Sequence, residues 1–101
     1  MIRPEISMKN KYYINKHRHY ELKHFCLQYS IWKRECDLDH VKLIEKTAIE
    51  ADPYLHSYII KGVTEGKSYT YLKTVLGMPC GKDMYYDRYR KFFWLLSKSR
   101  K

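Results

Sequence analysis

Cations, hydroxyl groups and phenol rings are concentrated in the last third of the chain. Residues 67–101 contain nine Lys and Arg against two Asp, a net charge of +7. Side chains of Lys, Arg, Ser and Tyr contact the phosphates of DNA, and Arg is the side chain that most often recognises guanine. The candidates for phosphate contacts are Lys67, Ser68, Tyr69, Lys73, Arg88, Lys91 and Lys98, and those for base edges are Lys82, Asp83, Tyr86, Asp87 and Arg90. This pattern predicts a surface for duplex DNA, with Arg90 as the foremost base contact.

The net charge of the whole chain also indicates an anionic partner. The 101 residues carry +9, to which residues 1–36 contribute +5 and residues 37–66 contribute −3. Basic regions of this kind favour nucleic acid or an anionic membrane surface, and they argue against a protein that mimics DNA. The alternative is that the charges are solvated faces that only keep the protein soluble.

The elements that position these side chains are predicted to be helices. No segment alternates apolar and polar residues over the length of a strand, whereas apolar residues recur at spacings of three and four. We therefore predict an all-α fold. It consists of an N-terminal arm at residues 1–14 and a single small domain of about five helices at residues 15–101, with a helix-turn-helix at residues 68–98.

Three helices are predicted before the helix-turn-helix. The longest runs from its N-cap Asn15 to Cys36, and the next follows it and ends near Asp52. The third starts at Asp52–Pro53 and ends at Gly66, because proline suits the first helical turn and glycine suits the end. The inward residues predicted for these helices are Leu22, Phe25, Cys26, Tyr29, Trp32 and Cys36; then Val41, Ile44, Ala48 and Ala51; then Leu55, Tyr58, Ile59 and Val63.

Residues 68–98 are predicted to form two helices joined by a glycine turn. Ser68 caps a short helix that ends at Leu76, Gly77 stops it in the left-handed conformation, and a long helix follows. The inward residues are Leu72, Val75 and Leu76 in the short helix and Tyr85, Tyr89, Phe92, Phe93 and Leu96 in the long one. In a helix-turn-helix the first helix braces the second, whose N-terminal half enters the major groove. The alternative is a helical hairpin that serves only for packing.

This region is similar to a known family. Residues 68–77 (SYTYLKTVLG) and 81–96 (GKDMYYDRYRKFFWLL) resemble the C-terminal helix-turn-helix of sigma-factor region 4 and the small phage regulators of the ArpU and RinA type. The residues that fit the pattern are Tyr71, Leu72 and Leu76–Gly77 in the first helix and Tyr85, Arg90–Lys91, Phe92–Phe93 and Leu96 in the second. The similarity covers about a third of the chain, and the turn, which contains Pro79, is about two residues longer than in the family. The resemblance implies a DNA-binding regulator of transcription.

A second apolar stripe on the longest helix predicts an interface with a partner. The residues of this interface are Tyr20, Leu27 and Ile31, to which Trp94 of the last helix is added. Soluble monomers usually avoid exposing such a row of apolar side chains, so we expect a homodimer or a protein partner. The alternative is that the arm, through residues 12–14, or the Trp94 side of the last helix covers the stripe within one chain.

The sequence contains no pattern typical of catalysis or of metal binding. His17, Glu21 and His24 share one side of a helix, but no third metal ligand follows at a suitable spacing. Cys26 and Cys36 are expected in the core, and Cys80, in the predicted turn, is the thiol expected to be reactive. We expect neither an enzyme nor a cofactor nor a bound metal.

These features together predict a phage or prophage transcriptional regulator that binds duplex DNA in the cytoplasm of a bacterial host. The expected partners are duplex DNA, RNA polymerase or another host protein, and a second copy of the chain. No membrane partner is expected, because the longest apolar run, residues 92–96, is far shorter than a bilayer span. Two alternatives stay open: a small phage-encoded inhibitor, such as an anti-CRISPR or another counter-defence protein, that binds a host protein or ribonucleoprotein, and RNA binding through the eleven tyrosines.

Overall fold

The computed structural model describes residues 12–100 as six α-helices joined by turns. The helices are α1 (Lys16–Cys26), α2 (Tyr29–Arg34), α3 (Leu38–Ala51), α4 (His56–Glu65), α5 (Tyr69–Thr74) and α6 (Lys82–Ser99). No strand occurs in this part of the chain, and the predicted all-α class is confirmed. None of these helices is both long and apolar enough to cross a bilayer. Most of the predicted N-terminal arm, residues 1–11, lies outside the described residues.

The long helix α6 is at the centre of the fold and packs against α3, α1 and α4. Its buried side chains are Tyr85, Phe92, Phe93 and Leu96, with Tyr89 partly buried beside them. Burying a large apolar side chain stabilises a fold by about 1.5–3 kcal/mol, so this face is the main source of stability. The predicted inward faces of α3 and α6 are confirmed, and on α4 Leu55, Ile59 and Val63 are buried while Tyr58 is partly exposed.

The predicted single helix over residues 15–36 is wrong, because the chain bends after α1. The Leu27 N–H still makes an α-helical bond to the Lys23 carbonyl, over 3.1 Å. The Gln28 N–H donates to the Phe25 carbonyl, three residues back, over 3.2 Å, which is a tighter turn than an α-helix. Beyond the bend, the ring centroid of Trp32 lies 4.6 Å from that of Phe25. Aromatic pairs of this kind add about 0.5–1.5 kcal/mol beyond their burial. Packing between the two short helices therefore outweighs the continuous helical pattern.

Helix α2 ends in a Schellman motif at Cys36, which has a φ of 60°. The Asp37 N–H donates to the Trp32 carbonyl over 2.8 Å, and the Cys36 N–H donates to the Lys33 carbonyl over 3.3 Å. This position directs the Cys36 side chain into solvent. The prediction that Cys36 belongs to the core is therefore wrong.

Helix α5 ends earlier than predicted, at Thr74, and the chain then reverses at Gly77, which has the predicted left-handed conformation with φ 68°. Val75 and Leu76, which were expected to face inward, are 61% and 36% exposed. Met78 enters the core instead, and its N–H donates to the Leu72 carbonyl over 3.1 Å. Because of this reversal, the loop residue Met78 takes the place in the core that was predicted for Val75 and Leu76.

Replacing Cys36 with glycine should stabilise the protein. A left-handed conformation costs a residue with a side chain about 1–2 kcal/mol, and the greater freedom of glycine in the unfolded chain offsets part of the gain. We expect Cys36→Gly to raise the free energy of unfolding in urea by about 0.5–1 kcal/mol. Cys36→Ala is the matched control, because it removes the thiol and keeps the steric cost. An equal gain with alanine would contradict this explanation.

Candidate nucleic-acid interface

A buried carboxylate at the corner between α3 and α4 orients the helices of the candidate site. Asp52 accepts hydrogen bonds from the N–H groups of Tyr54 and Leu55, over 2.8 and 3.1 Å. These bonds form a turn, so α4 starts at His56, later than predicted. The other carboxylate oxygen of Asp52 accepts from Arg88 Nε over 3.0 Å. The middle of α6 is thereby attached to the α3–α4 corner.

Arg88 is a structural residue of the interface and not an exposed cation. Its guanidinium group donates to Asp52 and also to Asp87. The hydrogen bond to Asp52 and the nearby charge of Asp87 raise the pKa of Arg88 further above its usual value. Arg88 is shared between two carboxylates, so the cluster of Asp52, Asp87 and Arg88 keeps a net negative charge, and Asp87 still repels a nearby phosphate, although less than a free carboxylate would.

Helix α5 is positioned by two residues that have the predicted roles: Gly66 ends α4, and Ser68 is the N-cap of α5. Gly66 ends α4 with φ 68°, and Ser68 Oγ accepts from the Tyr71 N–H over 3.2 Å. The connection between α4 and α5 is therefore only three residues long, which keeps the two helices in contact. Lys67, in this connection, has its Nζ 4.6 Å from the centroid of the Tyr71 ring. Lys67 and Ser68 thus lie together at the start of α5.

Two candidate residues of α5 stabilise the connection to α6. Lys73 Nζ donates to the carbonyls of Met78 and Cys80, over 3.1 and 3.4 Å, and Tyr69 Oη donates to the Cys80 carbonyl over 3.3 Å. Lys73 keeps one N–H for another acceptor. The Cys80 side chain is buried, and burial raises the pKa of its thiol. The prediction of a reactive Cys80 is therefore wrong, because thiolate is the nucleophilic form.

The first turn of α6 begins with three consecutive exposed residues. Lys82, Asp83 and Met84 are exposed, whereas Tyr85 is the first residue of the buried face. Asp83 lies in the first turn, where a carboxylate interacts favourably with the helix dipole. Lys82 and Asp83 are therefore the most accessible of the residues predicted for base edges.

Tyr86 and Arg90 follow Lys82 at intervals of four residues, so they lie on the same side of α6, farther along the helix. Together with Lys67 and Tyr69 they line a cavity of about 340 Å³ that is bounded by α1, α4, α5 and α6. Arg90 Nε is buried and has no hydrogen-bond partner among residues 12–100. The structure thus brings four candidate residues together, but it places Arg90 at the cavity and not on the expected outer face.

The other end of α6 carries the remaining candidates, Lys91, Trp94 and Lys98. Lys98 Nζ lies 3.8 Å from the centroid of the Trp94 ring. The ring centroid of Tyr12 lies 5.4 Å from the same Trp94 centroid. Trp94, predicted as a partner contact, is thus contacted by its own chain. Lys98 follows Lys82 at a distance of about 24 Å along the helix axis, so the two lysines would contact different phosphates.

The stripe predicted as an interface on α1 and α2 is exposed in the single chain. Tyr20, Leu27 and Ile31 are 50%, 48% and 41% exposed. The bend between the two helices changes their relative directions without covering any of these side chains. Ile14 is buried in the core, so this residue of the arm does not cover the stripe.

Comparison with known protein families, with curated proteins and with solved structures finds no match to this chain. Two features of the site were not predicted. Asp52 was expected only as a helix cap, for which the Asp-Pro pair is the sequence signal. His19 and Lys23 of α1 line the cavity beside Arg90, and no local pattern indicates this contact, because it depends on how α1 packs against α6.

Replacing Asp52 with asparagine should destabilise the protein more than the same change at Asp87. Asp52→Asn leaves Arg88 without its buried charged partner, and we expect a loss of about 2 kcal/mol in the free energy of unfolding. Asp87→Asn, the matched control, removes a partly exposed ion pair and should cost less than about 1 kcal/mol. Urea denaturation of both variants measures the difference. Equal losses would mean that Asp52 does not anchor α6.

Proposed function

We propose that this chain binds duplex DNA through α5 and the first turn of α6. The observation that carries this proposal is the exposed first turn of a helix that is anchored in the core by Tyr85, Phe92, Phe93 and Leu96. A rigidly held helix with an accessible N-terminal end is what a helix-turn-helix inserts into the major groove. The short capped helix before it corresponds to the bracing helix of that motif.

The charges around this end of the fold support the same function. Lys67, Lys73 and Lys82 surround α5 and the start of α6, whereas Lys91 and Lys98 lie on nearly the opposite side of α6 from Lys82. Of the two carboxylates nearby, Asp87 shares Arg88 with Asp52, and Asp83 is exposed and can accept from the amino group of a cytosine. Binding of this kind is dominated by phosphate contacts and is therefore sensitive to salt.

The resemblance to sigma-factor region 4 and to phage regulators supports a more specific role. On this basis the protein regulates phage or prophage transcription in a bacterial cytoplasm, and it contacts RNA polymerase or another host protein. The contact surface would be α1 and α2, on which the exposed stripe lies.

Duplex binding should weaken steeply with salt. About four phosphate contacts imply a slope near −3.6 in a plot of log K against log salt concentration. Lys67→Gln, at a predicted phosphate contact just before α5, should reduce the slope by about one unit, whereas Lys46→Gln, at an exposed position of α3, should leave it unchanged. Titration of a labelled duplex over a series of salt concentrations measures this. A slope near zero, or equal effects of the two substitutions, would exclude binding through this end of the fold.

A second candidate function is that of a small phage-encoded inhibitor that binds a host protein or ribonucleoprotein. The exposed stripe of Tyr20, Leu27 and Ile31 is the observation that favours it, because apolar rows of this kind are typical of protein interfaces. A homodimer formed through the same stripe would instead suit a DNA-binding protein, since it pairs two recognition helices.

Charge introduced into the stripe should dissociate a dimer without unfolding the chain. We expect light scattering to give a dimer for the wild type and a monomer for the Leu27→Glu, Ile31→Glu double variant, with unchanged circular dichroism. Ile49→Glu is the control, because Ile49 is a similarly exposed apolar residue on α3. A wild-type monomer would exclude the dimer and favour a different protein partner, and unfolding of the double variant would show that the stripe belongs to the core.

A further inference from the structure

The cavity between α1 and α6 has a wall of aromatic rings. The centroid of Tyr86 lies 5.2 Å from that of Tyr85, 5.9 Å from that of Tyr89 and 6.4 Å from that of Tyr69. With a volume of about 340 Å³, the cavity falls at the lower end of the range of small-molecule pockets. Such a space accommodates one planar ring with a substituent, and tyrosine rings are suited to contact the face of that ring.

One hydroxyl group in this wall lacks a hydrogen bond. Tyr85 is only 1% exposed, and its Oη has no partner among the described residues. The hydroxyl lies against Gly62, another residue of the cavity, and a Cβ at that position would collide with it. Burial is the largest cause of the raised pKa of Tyr85, so the group stays a neutral phenol that can donate. The oxygen is covered by Gly62, so an acceptor on a ligand reaches it only when the Tyr85 ring shifts away from this residue. A buried hydroxyl without a partner costs free energy, which such an acceptor would recover.

The cavity is also positively charged. Lys23, Lys67 and Arg90 line it, and no Asp or Glu does so among residues 12–100. Arg90 Nε, like the Tyr85 hydroxyl, is buried without a partner. His19 adds no charge at neutral pH, because burial and the neighbouring Lys23 lower its pKa. Cations without a compensating carboxylate favour a ligand that carries an anionic group.

We propose that this cavity binds a free pyrimidine nucleoside monophosphate. The base lies among Tyr69, Tyr86 and Tyr89, and a base carbonyl accepts a hydrogen bond from Tyr85 Oη. The phosphate contacts Lys23, Lys67 and Arg90, and several cations suit its charge better than that of a carboxylate. This site goes beyond DNA binding. Four of its residues, Lys67, Tyr69, Tyr86 and Arg90, are also candidate DNA contacts, whereas Tyr85 and Lys23 are not, so substitutions at Tyr85 and Lys23 test the cavity alone.

Calorimetric titration of the intact chain with thymidine monophosphate tests the site. We expect binding of one nucleotide per chain, with thymidine and inorganic phosphate each at least tenfold weaker, because each of them provides only half of the contacts. An oligonucleotide of eight thymidines distinguishes a free nucleotide from a nucleotide within a strand. Absence of binding by the monophosphate, or binding of the oligonucleotide alone, would overturn the proposal.

Two substitutions identify the cavity as the place of binding. Tyr85→Phe should weaken binding of the monophosphate about tenfold and raise the melting temperature of the free protein, because it removes a hydroxyl without a partner. Lys23→Gln should weaken binding by a similar factor, whereas Lys46→Gln, outside the cavity, should bind like the wild type. Unchanged binding by Tyr85→Phe, or equal losses for the two lysine variants, would show that the nucleotide does not occupy this cavity. The duplex titration is independent of these measurements, so the two proposals succeed or fail separately.

Discussion

The carboxylate of Asp52 is the contact on which the orientation of α6 depends. It is buried, and it accepts from two N–H groups of the α3–α4 corner and from Arg88 Nε. Removing a charged group from water is unfavourable unless its hydrogen bonds are replaced, and this geometry replaces three of them. Helix α6 is held at two places along its length: at Arg88, by the hydrogen bond to Asp52, and farther along, by the buried rings of Phe92 and Phe93. Its first turn is therefore free to project beyond the core.

Those parts of the fold that depend on local chemistry could be predicted from the sequence. The N-caps Asn15 and Ser68 and the left-handed residues Gly66 and Gly77 are where cap and turn chemistry places them, and the periodic faces of α3 and α6 are buried. The bend at Leu27 could not be predicted, because the apolar period continues across it. Contacts between residues apart in the sequence favour the bend, among them the packing of the Trp32 ring against Phe25 and against His40.

The candidate site was predictable as a region but not residue by residue. The helical period separates the buried face of α6 from its remaining surface, yet it does not say which neighbouring helix covers the flanks. Arg88 lies on the flank next to Asp52, and Arg90 lies on the flank next to α1, so these two arginines of one helix have different surroundings. Arg88 pairs with Asp52, which is far from it in the sequence, so no local pattern shows that this cation is already engaged.

The excess of tyrosine over phenylalanine has a physical explanation in the same region. Phe92 and Phe93 fill the part of the core where no polar group is needed, whereas Tyr69, Tyr85, Tyr86 and Tyr89 are clustered where α5 and α6 meet the cavity. Tyr69 uses its hydroxyl to stabilise the connection between these helices. The hydroxyl of Tyr85 makes no hydrogen bond within residues 12–100, and a phenylalanine would fill the same space without leaving a polar atom unpaired. Since Tyr86 and Arg90 line the cavity and are also candidate DNA contacts, a ligand bound there would draw on side chains of the DNA surface.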